Sequence, residues 1–472
     1  MSTEVSAAPE STDTRALTMR RFGRVSATGG SGARKVPLDQ LPPGPRWPVL
    51  LQTVALMRFR HQFHPWLRKR YGDTFSVNLV PGNRPLVLFT RPEDTKQIFA
   101  GDPAVFHAGK GNAILAPVMG DHSLLLTDGA DHHRARKLLM PAFLGHALRS
   151  YRGMVADLAA EEVAQWREGE TFTALGRMNA LTLEVILRVV FGVSDETRLA
   201  QLRPRVVRTV EINPAILLGW AYPRLQKLGP WRRTVENQVE LDRLIYAEIR
   251  ERRQVADLDQ RADVLSRLLI ASNEAEASGE QGLDDTELRD HLVTLLLAGH
   301  ETTASALSWA LVEIGRSPDL LARTQRAVAT GDDAWLEAVL KESMRLHPII
   351  PMVVRTLLEP TRVGDWDLPA GATVGPSIVI SHQDAANFPE PEMFRPERFL
   401  VDPAPALNVW IPFGGGVRRC IGAGFSVMEG VEVLRAVFGR YDVTAVGSDV
   451  PKVRNITSVP RRGARIRVQR RD

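Results

Sequence analysis

The residues with the most chemical content lie in Phe413-Gly414-Gly415-Gly416-Val417-Arg418-Arg419-Cys420-Ile421-Gly422. Cys420 is the only cysteine in the chain. A lone cysteine is ordinarily a small buried hydrophobe, but this one has unusual company. Three consecutive glycines let the backbone pass close to a large flat object because no side chain stands in the way. The following IGAGFSVMEGVEVLRAVF reads as a helix, so Cys420 falls at or just before a helix N-terminus, where main-chain N–H groups favour a thiolate. Such a sulfur is either a metal ligand or a nucleophile. A nucleophile needs a histidine base nearby, and the local sequence nominates none.

Three further groupings stand apart from a merely structural pattern. In Ala298-Gly299-His300-Glu301-Thr302-Thr303 a carboxylate and a hydroxyl interrupt a long apolar run. A threonine there could simply bond an internal carbonyl, whereas a carboxylate is almost never buried without a partner, so Glu301 beside Thr302 suggests proton delivery. Glu342-Ser343-Met344-Arg345 puts opposite charges three apart on one helix face. Gly129-Ala130-Asp131-His132-His133-Arg134-Ala135-Arg136 puts His132 and Arg136 four apart on another.

Taken in order, these segments resemble the cytochrome P450 family, over a stretch from about residue 41 to 468. The segment holding Phe413, Gly414, Gly416, Arg418, Cys420 and Gly422 looks like that family's haem-binding signature. The resemblance implies haem b (iron protoporphyrin IX) with Cys420 as the metal ligand, and a thiolate-haem centre that activates dioxygen. It assigns Glu301 and Thr302 to proton handling and gives Gly299 the task of leaving room over the haem; His300 is expected to be a spacer or to support the residues that act. Glu342 and Arg345 are expected to lock to Arg398 as a structural network. His132, Arg136, Arg355 and Arg418 are expected to face the haem propionates. His132 departs from the tryptophan frequent in relatives but keeps a donor.

The elements that must position these groups are mainly helical. Apolar residues three and four apart mark helices in the segments beginning at Leu181, Val235 and Asp263. The acidic stretch from Ser272 reads as an exposed linker. A capping box, Asp284 with Glu287, opens a helix expected to run unbroken to about Gly315, apolar nearly all round and therefore central. Strand patterns at Thr74–Leu79 and Leu86–Phe89 flank a turn at Pro81-Gly82-Asn83. The stretch AGKGNAILAPVMGDHS reads as a long loop, and such loops usually cover a site. The expected fold is mainly α with small β-sheets, the P450 fold with a long central helix over haem. Residues 1–40 lack apolar periodicity and are expected to form a disordered tail; 41–472 form a single haem domain.

Composition narrows the rest. Of 472 residues 44% are hydrophobic and 24% charged, a globular balance. The formal charge of +5 is a small excess of 60 basic over 55 acidic residues, which argues against nucleic acid as a partner. One cysteine excludes an internal disulfide and suits a cytoplasmic protein. No stretch approaches the roughly 20 apolar residues of a membrane span, so an integral segment is not expected; the proline-rich LPPGP leader leaves room for peripheral membrane contact.

The implied enzyme is a monooxygenase that inserts one atom of O2 into a largely apolar substrate. Electrons would come from NAD(P)H through separate redox proteins, a ferredoxin or flavodoxin-like donor and its reductase. A peroxide-using or isomerising haem-thiolate enzyme, and a non-catalytic haem-binding sensor, stay open as alternatives. By the same resemblance the loop Phe106–Leu126, the central-helix residues Leu295, Ala298 and Gly299, and the segments Ile350, Pro351, Met352, Val353 and Ile456, Thr457, Ser458 line the substrate pocket. Lys110 and Arg454 are candidates to read a substrate carboxylate.

Overall fold

The computed structural model describes residues 14–15, 18–19, 40–80, 84–192, 195–210 and 227–471. The turn at 81–83 and most of the tail lie outside them. Within the tail, Thr18 is buried and its hydroxyl donates to Asp242 Oδ2 at 2.6 Å.

The centre of the molecule is the helix expected from Asp284, and its start is as read. The Asp284 carboxylate accepts from the N–H groups of Thr286 and Glu287 at 2.8 Å each, while Glu287 accepts from Asp284 N at 3.1 Å. Helix Asp285–Gly299 is followed by helix Glu301–Arg316, so the expected single rod is broken at His300, whose φ is −100°. At the break, His300 O accepts from Ala304 N at 3.0 Å and also from the Thr182 hydroxyl on helix Ala174–Phe191 at 3.0 Å, and the His300 ring meets Leu296 O at 3.0 Å. His300 is thus tied to two neighbouring segments at the point where the two helices join.

Around this central pair pack helices Gly145–Ala164, Ala174–Phe191, Gly229–Arg253, Val264–Ala277, Asp333–Leu346 and Ala423–Arg440. Their apolar stripes merge into one large core that includes the fully buried Trp309 and Trp335. The stretch expected as a linker from Ser272 stays helical to Ala277, with Ser272 and Ala275 buried, because the Ser272 hydroxyl caps Leu283 N at 2.7 Å. The loop after His107 likewise winds into short turns, Ala108–Gly111, Ala113–Leu115 and Ala116–Met119.

A five-stranded sheet forms the second layer, in spatial order Thr74–Leu79, Arg84–Phe89, Thr373–Pro376, Arg355–Leu357, Phe106–His107. Thr74 faces Phe89 and Leu79 faces Arg84 in the first antiparallel pair, and Arg84–Phe89 runs parallel to Thr373–Pro376. Helix Val49–Tyr71 covers this sheet through Leu56, Phe63 and Leu67. A hairpin of Pro451–Arg454 with Thr457–Pro460 closes the chain's C-terminal side against that helix: Arg60 donates to Asn455 O at 2.9 Å and Ile456 O at 3.2 Å.

Candidate functional site

Cys420 sits in a closed loop three residues ahead of helix Ala423–Arg440, and its N–H donates to Phe413 O at 2.9 Å. The side chain is exposed. Although the residue is open to solvent, the protein packed around its sulfur pushes the thiol up, more than the Gly422 N–H, Arg136 and Arg419 pull it down, so the helix start alone does not favour the expected thiolate. The glycines before it are required by the turn. Gly414 and Gly416 have φ of +66° and +64°, which L side chains rarely adopt. A Cβ on Gly416 would lie 2.0 Å from Phe99 O, and one on Gly415 would meet the Phe99 ring at 2.3 Å. Two of the three glycines therefore admit Phe99, from helix Pro92–Ala100, behind the loop.

Next to this loop gathers a set of basic groups. Arg136 donates to Arg419 O at 2.8 Å, and Arg418 reaches Leu124 O at 3.1 Å and pairs with Asp128. His132, buried on helix Gly129–Leu139, is pushed down to about 3 by burial and by Arg418, Arg136 and Arg355. Arg355 is itself lowered to about 10 by burial and by Arg418. Asp128, the carboxylate set against them, is shared with His107 at 3.3 Å and with Gly109 N at 3.0 Å. So three arginines and a neutral histidine gather here, and Asp128 answers only Arg418 and Arg355 among them. That donor set fits a dianionic ligand such as the two propionates of haem, since buried cations need compensation.

The central helix presents its own opening. From Glu287 to Ile314 every residue is buried except Leu297, Ala298, Gly299 and Thr302. Ala298 is exposed, and the Thr302 hydroxyl donates to its carbonyl at 2.8 Å. The absent side chain of Gly299 points elsewhere: a Cβ there would meet Ile186 Cδ1 at 2.8 Å, so this glycine serves helix packing and not open space over a ligand. Thr303 reaches Ser426 Oγ at 3.2 Å, tying the central helix to the helix that follows Cys420.

These features meet in one family. A cytochrome P450 family model matches residues 41–467. The chain belongs to the cytochrome P450 family. It is 50% identical over 431 residues to putative cytochrome P450 135A1 of Mycobacterium tuberculosis, covering 91% of this chain and 95% of that one. It is 41% identical over 437 residues to putative cytochrome P450 135B1 of Mycobacterium bovis, with 91% of each covered. Among solved structures, the retinoic acid bound cyanobacterial CYP120A1 matches with a TM-score of 0.76 over 93% of this chain and 100% of that chain. Its 23% identity carries the fold alone. The protein is accordingly a P450 monooxygenase, and haem is the cofactor its family implies.

In this P450 the buried ionic network has the expected members and more. Arg345 grips Glu342 through Nε–Oε2 at 2.7 Å and Nη2–Oε1 at 2.8 Å, with both side chains fully buried. Arg345 also donates to His382 O, Pro391 O and Met393 O at 2.9, 2.7 and 3.0 Å. Arg398 joins at 3.3 Å from Glu342 Oε1, and the main-chain N–H of Arg395 at 2.7 Å. The network therefore staples three main-chain carbonyls, one of them in the short helix Ile378–Gln383, to helix Asp333–Leu346, a use of bidentate guanidinium geometry.

Glu301 is buried and paired. Arg454 Nε lies 3.0 Å from Glu301 Oε1, and the Thr457 hydroxyl donates to Oε2 at 3.3 Å. This removes Arg454 as a reader of a substrate carboxylate. The expected pocket residues divide. Leu295 sits at the edge of burial, Ile350, Met352 and Val353 are half-buried, and Ile456 is exposed. Pro351 is buried, while Thr457 and Ser458 are buried with hydroxyls already engaged, Ser458 with His61 Nε2 at 2.7 Å. Lys110 is exposed, and its N–H donates to Asp128 Oδ2 at 3.2 Å.

Two features were not read from the sequence. Glu429, on the helix after Cys420, is fully buried; neither oxygen has a hydrogen-bond partner of ordinary geometry among the described residues, and burial pushes its carboxyl well up, with the Thr303 hydroxyl pulling back. The available signal was a pair of acids, Glu429 and Glu432, within the otherwise apolar run from Val427 to Leu434. Arg289 on the central helix, also fully buried, bonds Asp242 Oδ1 at 2.7 Å, Asp290 Oδ1 at 2.9 Å and the carbonyls of Val118 and Met119 at 3.1 Å each. It holds the loop Phe106–Leu126 against the central helix. No sequence spacing announces a contact between segments so far apart.

Proposed function

We propose that this P450 oxygenates a largely apolar small molecule, with Cys420 as the axial ligand of haem b and electrons from NAD(P)H delivered by a separate ferredoxin or flavodoxin-like protein and its reductase. The observation that carries the reading is the exposed Cys420 residue beside His132, Arg136, Arg355 and Arg418, of which Arg418 is paired with Asp128. When bound, haem supplies the activation of dioxygen, so that one oxygen atom enters the substrate and the other leaves as water.

The chain's own residues do the rest. His132, Arg136, Arg355 and Arg418 hold the propionates and orient the ring, with Arg418 and Arg136 braced on main-chain carbonyls. Cys420 N–H, held by Phe413 O, keeps the sulfur at one height. Thr302 presents the hydroxyl at the exposed notch of the central helix, where it can pass a hydrogen bond from Ala298 O to a substrate-side acceptor. Glu301, one residue away, holds the carboxylate that exchanges protons, and Arg454 and Thr457 keep it oriented. Ala298, Leu295, Met352, Val353 and Ile456 supply apolar wall, the composition that suits an apolar ligand.

The cytoplasm is the compartment this reading assumes, in keeping with a single thiol that must stay reduced. The test is a ligand panel, apolar and polar, screened by haem absorption and followed by product analysis with an NAD(P)H-driven redox pair. Apolar compounds are expected to shift the spectrum and yield oxygenated product. Turnover with peroxide alone and none with NAD(P)H would replace the monooxygenase cycle with a peroxide-using one; bound haem with no product at all would leave a sensor.

A further inference from the structure

Helix Val49–Tyr71 has two apolar faces, and the fold uses one. Its inward stripe, Leu56, Phe63 and Leu67, is buried on Phe75, Val77 and Leu86 of the sheet. That accounts for its place in the core. Outward, where water would call for polar residues, the first turns present Leu50, 62% exposed, and Leu51, 56% exposed, followed by Val54 and Met57. Trp47 is exposed just before the helix, and the exposed Val80 joins the same face, since its N–H donates to the Thr53 hydroxyl at 3.1 Å. Positions 50, 51, 54 and 57 recur at helical spacing and form one stripe.

The chemistry around the stripe selects its partner. From Leu41 to Gly72 the sequence contains no aspartate or glutamate, yet it carries Arg46, Arg58, Arg60, Arg68, Lys69 and Arg70. Arg46, Arg58, Lys69 and Arg70 are exposed. Indole rings border the patch: the helix bends at Phe59, where φ is −128°, and Trp47 and Trp66, both exposed, come within 5.0 Å between ring centroids. Arg68 is paired with Asp73 and Asp384 and Arg60 is buried, which leaves Arg46, Arg58, Lys69 and Arg70 as the exposed cations. Apolar side chains outward, tryptophans at the rim and exposed cations are the attributes of a helix lying in the headgroup region of an anionic bilayer. Among the described residues no helix is long and apolar enough to cross a membrane.

We infer that this face is a peripheral docking surface for an anionic lipid bilayer, with the outer stripe of Val49–Tyr71 entering the interface and the arginines and lysine meeting the headgroups. The position has a consequence for the site. The same helix carries Arg60, which holds Asn455 and Ile456 of the C-terminal hairpin, and Arg454 of that hairpin holds Glu301. A bilayer against this helix lies beside the structure that frames the proton-handling carboxylate, a suitable place for an apolar substrate to enter from lipid.

The docking inference does not depend on the oxygenase reading, and its test separates them. Haem-loaded full-length protein is floated with phosphatidylcholine vesicles and with vesicles containing phosphatidylglycerol, at low and at raised salt, alongside the Leu51→Glu/Val54→Glu variant. Neither residue belongs to the haem or substrate machinery. The wild type is expected to float with the anionic vesicles, less so as salt screens the charges, and the variant to lose at least about tenfold in partitioning, since two apolar side chains leave lipid contact. The variant's haem spectrum stays that of the wild type. Absence of flotation with anionic vesicles at low salt overturns the inference. So does flotation that the variant leaves intact, and so does a concentration-dependent dimer that the variant abolishes while vesicles are ignored, which would make the face an interface between copies of the chain.

Discussion

The Arg454 guanidinium lies 3.0 Å from the Glu301 carboxylate, joining the C-terminal hairpin to the start of the second central-helix segment. The carboxylate assigned to proton handling is thus oriented from outside its own helix. Glu301→Gln and Thr302→Ala should retain haem and divert reducing equivalents from product, with oxygenation slowed by about 10²-fold or more, the ordinary share of a positioned proton donor. Arg454→Gln should move in the same direction by less, because Thr457 still reaches Oε2. Product formed per NAD(P)H consumed is the readout. Unchanged coupling in Glu301→Gln and Thr302→Ala would remove the pair from proton delivery.

The Glu342–Arg345 pair is fully buried and bound to three main-chain carbonyls. Removing either partner leaves an uncompensated charge, which costs about 3–5 kcal/mol. Glu342→Ala and Arg345→Ala should lower the fraction of folded, haem-loaded protein. Thermal unfolding and the haem-to-protein absorbance ratio measure it, and wild-type values for both variants would contradict the structural role.

Removing one of the basic groups beside Cys420 should loosen haem without unfolding the chain. Arg355→Leu relieves a buried cation in the apoprotein, yet if Arg355 holds a propionate as proposed it would withdraw a charge-assisted bond, a loss of roughly 1.5–3 kcal/mol. Haem transfer to an excess of an acceptor protein should quicken by about ten- to a hundredfold. A transfer rate equal to that of the wild type would take Arg355 out of the propionate set.

Glu429 gives a pH signature. Its folded carboxyl is held well above the usual range by burial. The unfolded chain ionises first, at about 4.3, so the wild type loses stability as pH rises from there toward the folded value, by about 1.4 kcal/mol per pH unit. Glu429→Gln has no such loss. The variant should match the wild type below about pH 4 and exceed it increasingly toward neutrality. Parallel stability curves from pH 4 to 7 would show that Glu429 is ionised in the folded protein.

The parts legible in sequence are those written in adjacent residues. The Cys420 loop, the Asp284–Glu287 capping box and the Glu342–Arg345 pair each lie within a few positions, and each forms in the structure. What escaped depends on distant partners. At the break the His300 carbonyl takes a hydroxyl from Thr182 on another helix, and a side chain on Gly299 would meet Ile186. Arg454 looked like a solvated or substrate-reading cation because nothing near it in sequence names Glu301 as its partner. The stretch after Ser272 is polar enough for a linker, but the cap on Leu283 N keeps its first residues helical.

The central claim is that Cys420 binds the haem iron as thiolate, and the ferrous carbon-monoxide spectrum of purified protein reads that ligand directly. The wild type should show the red-shifted band of thiolate ligation, and Cys420→Ser should lose it along with oxygenase turnover, even where haem remains bound. Persistence of the thiolate band in Cys420→Ser would contradict the account.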